Sequence, residues 1–95
     1  MYRYLTLLRF TEQGMKTVKK STARAAAFHD AAVKAGVKVE AQYWTTGVYD
    51  GVLIISSDDE KKALQCLAAL AGTGNVRTET LRAFNAQEFG GLVES

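Results

Sequence analysis

The stretch YWTTGVYDGVLII, Tyr43 to Ile55, decides what kind of fold this chain can adopt. Two aromatics lead into a Thr-Thr-Gly corner at Gly47, Tyr49 and Asp50 follow, and Val52 to Ile55 is an unbroken aliphatic run. Aromatic and β-branched residues on both sides of a glycine corner predict two strands joined as a hairpin. Side chains alternate across a strand, so Leu53 and Ile55 point one way while Val52 and Ile54 point the other. An antiparallel strand with one wet face should alternate apolar with polar residues. This one does not, so it belongs at the centre of a sheet covered front and back.

Upstream of the corner, Val37 to Thr45 alternates. Val37, Val39, Ala41 and Tyr43 share one side, and Lys38, Glu40, Gln42 and Trp44 share the other. Strict alternation places Tyr43 against the core and Trp44 on the opposite surface. Thr22 to Ala35 is alanine-rich helix, with Ser21 or Thr22 as N-cap and Gly36 as an αL C-cap. Ala25, Phe28, Ala32 and Ala35 lie near one face of it, with Val33 at the margin. Tyr2 to Phe10 reads as a strand with Leu5 and Leu7 on one side and Leu8 and Phe10 on the other. Thr11 to Gly14 ends that strand, and Met15 to Lys20 has room for one or two helical turns with Lys16, Lys19 and Lys20 in water.

Downstream, Ser57, Asp58 or Asp59 caps a second helix running to about Ala71, with Leu64, Leu67, Ala68 and Ala71 as its stripe. Carboxylates at Asp58, Asp59 and Glu60 suit the positive end of its dipole. Asn75 to Phe84 is a fourth strand. Asn85 to Ser95 reads as a loosely held tail, which makes residues 1–89 the domain and 90–95 a flexible end.

The order is β-α-β-β-α-β. With right-handed crossovers it closes into an α+β fold, a four-stranded antiparallel sheet with strands one and three central and both helices on one face. Two helices cover only one face. Leaving some four large aliphatic side chains bare on the other forgoes roughly 1.5–3 kcal/mol each, and such patches are rare on monomers. With no third helix read in the sequence, a second copy is the expected cover: a homodimer through the helix-free face, open to higher homo-oligomers.

Composition narrows the function. The chain has 95 residues, enough for one core, and 12 basic against 10 acidic side chains, which calls for no nucleic-acid partner. One cysteine, Cys66, and one histidine, His29, rule out an internal disulfide framework and a multi-histidine or multi-cysteine metal site within one chain. The opening MYRYLTLLRF is broken by Arg3 and Arg9 and is too short for a signal sequence or membrane span. The expected location is the cytoplasm, with no membrane partner and no cofactor.

Three segments, YWTTGVYD (Tyr43–Asp50), GNVRTETLRAF (Gly74–Phe84) and LLRFTEQG (Leu7–Gly14), resemble the GYD family of small bacterial domains. The resemblance spans nearly all of residues 2–89. Gly47 is separated from Tyr49-Asp50 by Val48, and Ser21-Thr22 stands where the family often has Ser-Pro. It implies a ferredoxin-like fold of the dimeric α+β-barrel group and no established activity. The wider group contains cofactor-free monooxygenases, isomerases, heme enzymes and ligand sensors, so fold kinship assigns no chemistry.

Each candidate site has a plainer structural reading beside it. Tyr49 and Asp50 offer a hydroxyl and a carboxylate for proton transfer or polar contact; equally, Asp50 can hold turn amides while the Tyr49 ring packs over a helix end. Trp44 suits an interface anchor or the lining of a ligand cleft. Arg77 and Arg82 on the fourth strand are either edge-strand charges or anchors for an anionic ligand; which of its sides meets the helices is open. His29 is a general base or heme ligand on one reading and a helix-surface histidine on the other. Cys66, between Ala63 and Leu70, reads as a small apolar filler. Three functional readings follow, in this order: a non-catalytic homodimer holding a small organic molecule or scaffolding an assembly, a cofactor-free isomerase or monooxygenase using Tyr49, Asp50 and His29, and an interaction module without a pocket.

Overall fold

The computed structural model describes residues 1–94. The strands are β1 (Tyr2–Phe10), β2 (Lys38–Trp44), β3 (Gly51–Ser57) and β4 (Val76–Arg82). The helices are α1 (Glu12–Lys16), α2 (Ser21–Lys34), α3 (Glu60–Gly72) and α4 (Ala86–Glu94), with a 3₁₀ turn at Val18–Lys20 leading into α2. The sheet runs β2-β3-β1-β4 and is antiparallel throughout, so the two doubly apolar strands are indeed central. This is the ferredoxin-like βαββαβ arrangement with two helical additions, α1 and α4.

The core lies between one sheet face and the pair α2 and α3. Tyr4, Leu8, Leu53 and Ile55 from the sheet meet Ala32 of α2, Ala63 and Leu67 of α3, and Val37. Leu53 and Ile55 are wholly buried, and each contributes roughly 1.5–3 kcal/mol. Thr6 is buried among them without penalty, because its hydroxyl shares a 3.1 Å hydrogen bond with that of Thr80 across the strands. At the end of α2 the Val37 amide donates to the Ala32 carbonyl and the Gly36 amide to Val33, the paired bonds of a Schellman cap, with Gly36 at φ 81°. Asp59 caps α3 by accepting from the Lys61 and Lys62 amides.

Four expectations need correction. First, Tyr43 and Trp44 have exchanged faces. β2 pairs Val39 with Ile55 but Ala41 with Ile54, a bulge that places an extra residue at Glu40. Beyond a bulge the alternation is reset. Val37 and Val39 therefore face the helices, whereas Ala41 and Tyr43 join Val52 and Ile54 on the open face, and Trp44 turns toward the helices beside Gly51. Second, α3 is rotated from its expected stripe: Ala63 and Leu67 are buried, Cys66 and Leu70 half-buried, and Leu64 is 47% exposed. With alanine on several sides of this helix, the sequence carries little contrast between neighbouring stripes. Cys66 packs against the core as expected of a filler, and its burial pushes the thiol pKa up.

Third, α2 starts at Ser21 with Lys20 in the cap position, where no side chain bonds the first amides; the 3₁₀ turn before it supplies the lead-in that a Ser21 or Thr22 cap was expected to supply. Its Ala35, placed on the buried stripe, is exposed. Fourth, the expected loose terminus is helical through Glu94, while Ser95 lies outside the described residues. The Glu88 amide donates to Asn85 Oδ1 and the Asn85 amide to Glu88 Oε1, both at 2.8 Å. That reciprocal pair is a capping box, and Glu88 also pairs with Arg3 of β1.

The Asn85 amide and then the Arg3 guanidinium hold the Glu88 carboxyl below its ordinary pKa. A depressed carboxylate stabilises the fold above its unfolded pKa, and that contribution disappears as pH falls through the lower folded value. Amide protection along residues 86–94, followed by hydrogen exchange, is therefore expected to fade in acid before the sheet does. Glu88→Gln, which removes the ion pair, is expected to lower that protection already at neutral pH.

Candidate functional site

A pocket of about 300 Å³ opens between the sheet and the two long helices. Its floor is Leu8, Phe10 and Leu53, its walls are Ala25 and Phe28 of α2 and Ala69 and Leu70 of α3, and Trp44 lies at its margin. The space has a simple cause. Trp44, Gly51 and Leu8 form one row across β2, β3 and β1, and the middle member has no side chain. The facing helix residues Ser21, Ala25 and Ala69 are small. Small residues against a sheet of large ones leave a hollow.

The sequence candidates divide between this pocket and other places. Trp44 and Asp50 line it. The bulge puts Trp44 on the helix side, not on the open face where the interface reading had it. Asp50 is committed to backbone: its Oδ2 accepts from the Phe10 amide at 2.8 Å, its own amide donates to the Leu8 carbonyl, and its carbonyl accepts from Thr45. It thus ties the hairpin to β1 rather than holding the turn's own amides. Gly47 takes the expected positive φ, 102°.

Tyr49, next in sequence to Asp50, faces the other way. Its hydroxyl donates to Glu79 on β4 and Arg9 stacks over its ring, 4.8 Å from the centroid, so it does not pack over a helix end. His29 is exposed on α2 and does not line the pocket. Arg82 is on the helix side of β4, its guanidinium 4.6 Å from the centre of Phe84 and within 5.7 Å of Tyr2 and Tyr4. Arg77 is on the open face opposite Arg9 and borders a shallow concavity with Thr11 and Lys16. Among the described residues no cluster of His, Cys, Asp and Glu could hold a metal, and no helix is long and apolar enough to cross a membrane.

Removing the Asp50 carboxylate should therefore act on stability. Asp50→Ala leaves the Phe10 amide without its charged acceptor and is expected to cost about 1.5–3 kcal/mol, read by urea denaturation; Asp50→Asn, which keeps an acceptor oxygen, should lose much less. A stability equal to the parent in both variants would show that this hydrogen bond is not made.

Sequence reasoning missed Phe28 and Arg24 as pocket residues. Both sit on α2, and Arg24 donates to the Thr17 carbonyl and hydroxyl through Nη1 and toward the Gly14 carbonyl through Nη2. A signal did exist: an alanine-rich helix against a strongly aliphatic sheet predicts a gap, and the large or charged residues it carries inward border that gap.

Nearly the whole chain, from β1 into α4, matches known proteins. The family model for the GYD domain matches residues 4–93. The chain belongs to the GYD family. This GYD domain is 31% identical over 84 residues to the glutamine synthetase and cystathionine beta-lyase binding protein of Thermus thermophilus, an alignment covering 87% of this chain and 88% of that protein. It is also similar to the crystal structure of TTHA0845 from Thermus thermophilus, with a TM-score of 0.57 and 26% identity over 90% of this chain and 96% of the other.

Proposed function

We propose that this GYD domain is a cytoplasmic, non-enzymatic binding module: a homodimer of the α+β-barrel kind, joined through the helix-free sheet face, that holds a small organic molecule in the pocket and engages a protein partner. The observation that carries the reading is the open face itself. Leu5, Leu7, Val52, Ile54 and Ala41 lie together on it, with Leu81 53% exposed and Tyr43 62% exposed beside them. Charges stand at its ends and edge: Arg3, Lys38 and Glu40 at one end, Arg9 and Arg77 at the other, Glu79 on β4. An apolar centre with a charged rim is the anatomy of a protein interface. No described element covers that centre, and a second copy presents the same apolar surface, as a twofold interface requires.

The relative's name supports a protein partner as part of this reading. The enzyme alternative, a cofactor-free isomerase or monooxygenase, has less behind it: Asp50 bonds backbone, Tyr49 faces the opposite side of the sheet, and His29 is outside, so no two of them converge on one reacting atom. Native mass spectrometry of protein purified from its host tests subunit number and bound ligand together. A dimer is expected, with extra mass from a small molecule. A lone subunit at low micromolar concentration would overturn the dimer, and a dimer of bare polypeptide mass would count against the ligand.

A further inference from the structure

We infer that the pocket takes a compact, ring-bearing monocarboxylate, with its carboxylate on Arg24 and its ring against Phe28 and Trp44; this rests on the small-ligand part of the function proposed above. The argument starts from charge. Arg24 lines the pocket, is half-buried, and has no carboxylate partner among the described residues. Its bonds to Thr17 and Gly14 are made through Nη1 and Nη2. Nε carries none of these bonds, and with Nη2 it forms the side-on edge of the guanidinium that a carboxylate fits. The bonds already made hold the guanidinium in place, so little further side-chain freedom is lost when a ligand binds.

The rest of the lining selects the remainder of the molecule. Phe10, Phe28, Trp44, Leu53 and Leu70 are apolar or aromatic, and about 300 Å³ is at the small end of ligand pockets, which run to roughly 1,000 Å³. One ring and a short chain suit that space. Asp50, the pocket's other charge, opposes a second anionic group and so favours a monoanion. Lys19 and Lys20, in the 3₁₀ turn just before α2, add positive charge close to Arg24 in the chain.

Trp44 is the chain's single tryptophan, so its fluorescence reports the pocket directly. The probes are 3-phenylpropanoate and its neutral amide, 3-phenylpropanamide, which share shape and differ in charge. On the parent protein the carboxylate is expected to change Trp44 emission saturably and to bind roughly tenfold or more tightly than the amide. Arg24→Gln is expected to abolish the preference for the carboxylate over the amide. Equal binding of both probes to the parent protein overturns the carboxylate assignment while leaving the pocket a binding site, and needs no variant. Failure of both probes to perturb Trp44 overturns the assignment together with the ligand-binding reading beneath it.

Discussion

A Gly14→Ala variant is expected to melt on the order of 15 °C below the parent protein, the loss of about 3 kcal/mol in a domain of this size. Gly14 is buried in α1, and a Cβ there would lie 2.0 Å from the carbonyl oxygen of Asn75 and 2.9 Å from its carbonyl carbon. Those atoms are backbone and cannot rotate aside. They are also held in place. The Thr11 backbone amide donates to the Asn75 carbonyl, the Thr11 hydroxyl to the Gly74 carbonyl, and Gln13 Nε2 to the Thr73 carbonyl and Asn75 Oδ1. A methyl group must separate α1 from the start of β4 and break this set of bonds.

Gly91→Ala supplies the control. Gly91 lies in α4 with open space around its missing Cβ, so alanine there should leave the melting temperature unchanged or raise it slightly through helix propensity. Thermal unfolding followed by circular dichroism reads both variants. A Gly14→Ala protein within a few degrees of the parent would mean that the α1–β4 corner is looser than its hydrogen bonds indicate. Asn75 also lines the pocket, so the same variant should disturb ligand binding at temperatures where the fold survives.

Ile54→Asp is expected to convert the proposed dimer into a folded monomer. Ile54 is at the centre of the open face, paired with Leu5 on one side and Ala41 on the other. A twofold interface contains each substitution twice, so two aliphatic burials of roughly 1.5–3 kcal/mol are lost and two carboxylates face apolar surface. A dissociation constant raised about a thousandfold follows. The helix-side core of Leu53 and Ile55 is untouched by the change, so the monomer should keep its secondary structure. Light scattering coupled to gel filtration distinguishes the outcomes. A variant that still dimerises would place the contact elsewhere, for instance on α4, where Phe89 and Val93 are more than half exposed.

Much of this architecture was written in local pattern. The doubly apolar β1 and β3 named themselves as central strands, because strand geometry sends alternate residues to opposite faces whatever the rest of the chain does. Gly36 marked one helix end and the run Ser57-Asp58-Asp59 another, for reasons internal to those ends. Even the terminal helix was legible in Asn-Ala-Gln-Glu, residues 85–88, whose first and last members form its capping box; the glycine pair behind it hid the signal. The candidate site was less legible. Of the candidates, Asp50 and Trp44 line the pocket while Tyr49, His29 and both strand-four arginines lie away from it, and Arg24 was not among them.

The amino-acid sequence by itself determined the number, order and type of the main elements, and that one sheet face would be apolar without helices to cover it. Only the tertiary structure decided where Tyr43 and Trp44 point, which stripe of α3 is buried, and that Asp50 bonds the backbone of β1. The physical reason is range. Periodicity and capping depend on residues a few positions apart, whereas the bulge at Glu40 is defined by register against β3, the rotation of α3 by contact with the sheet, and the pocket by small residues on three separate elements facing one another.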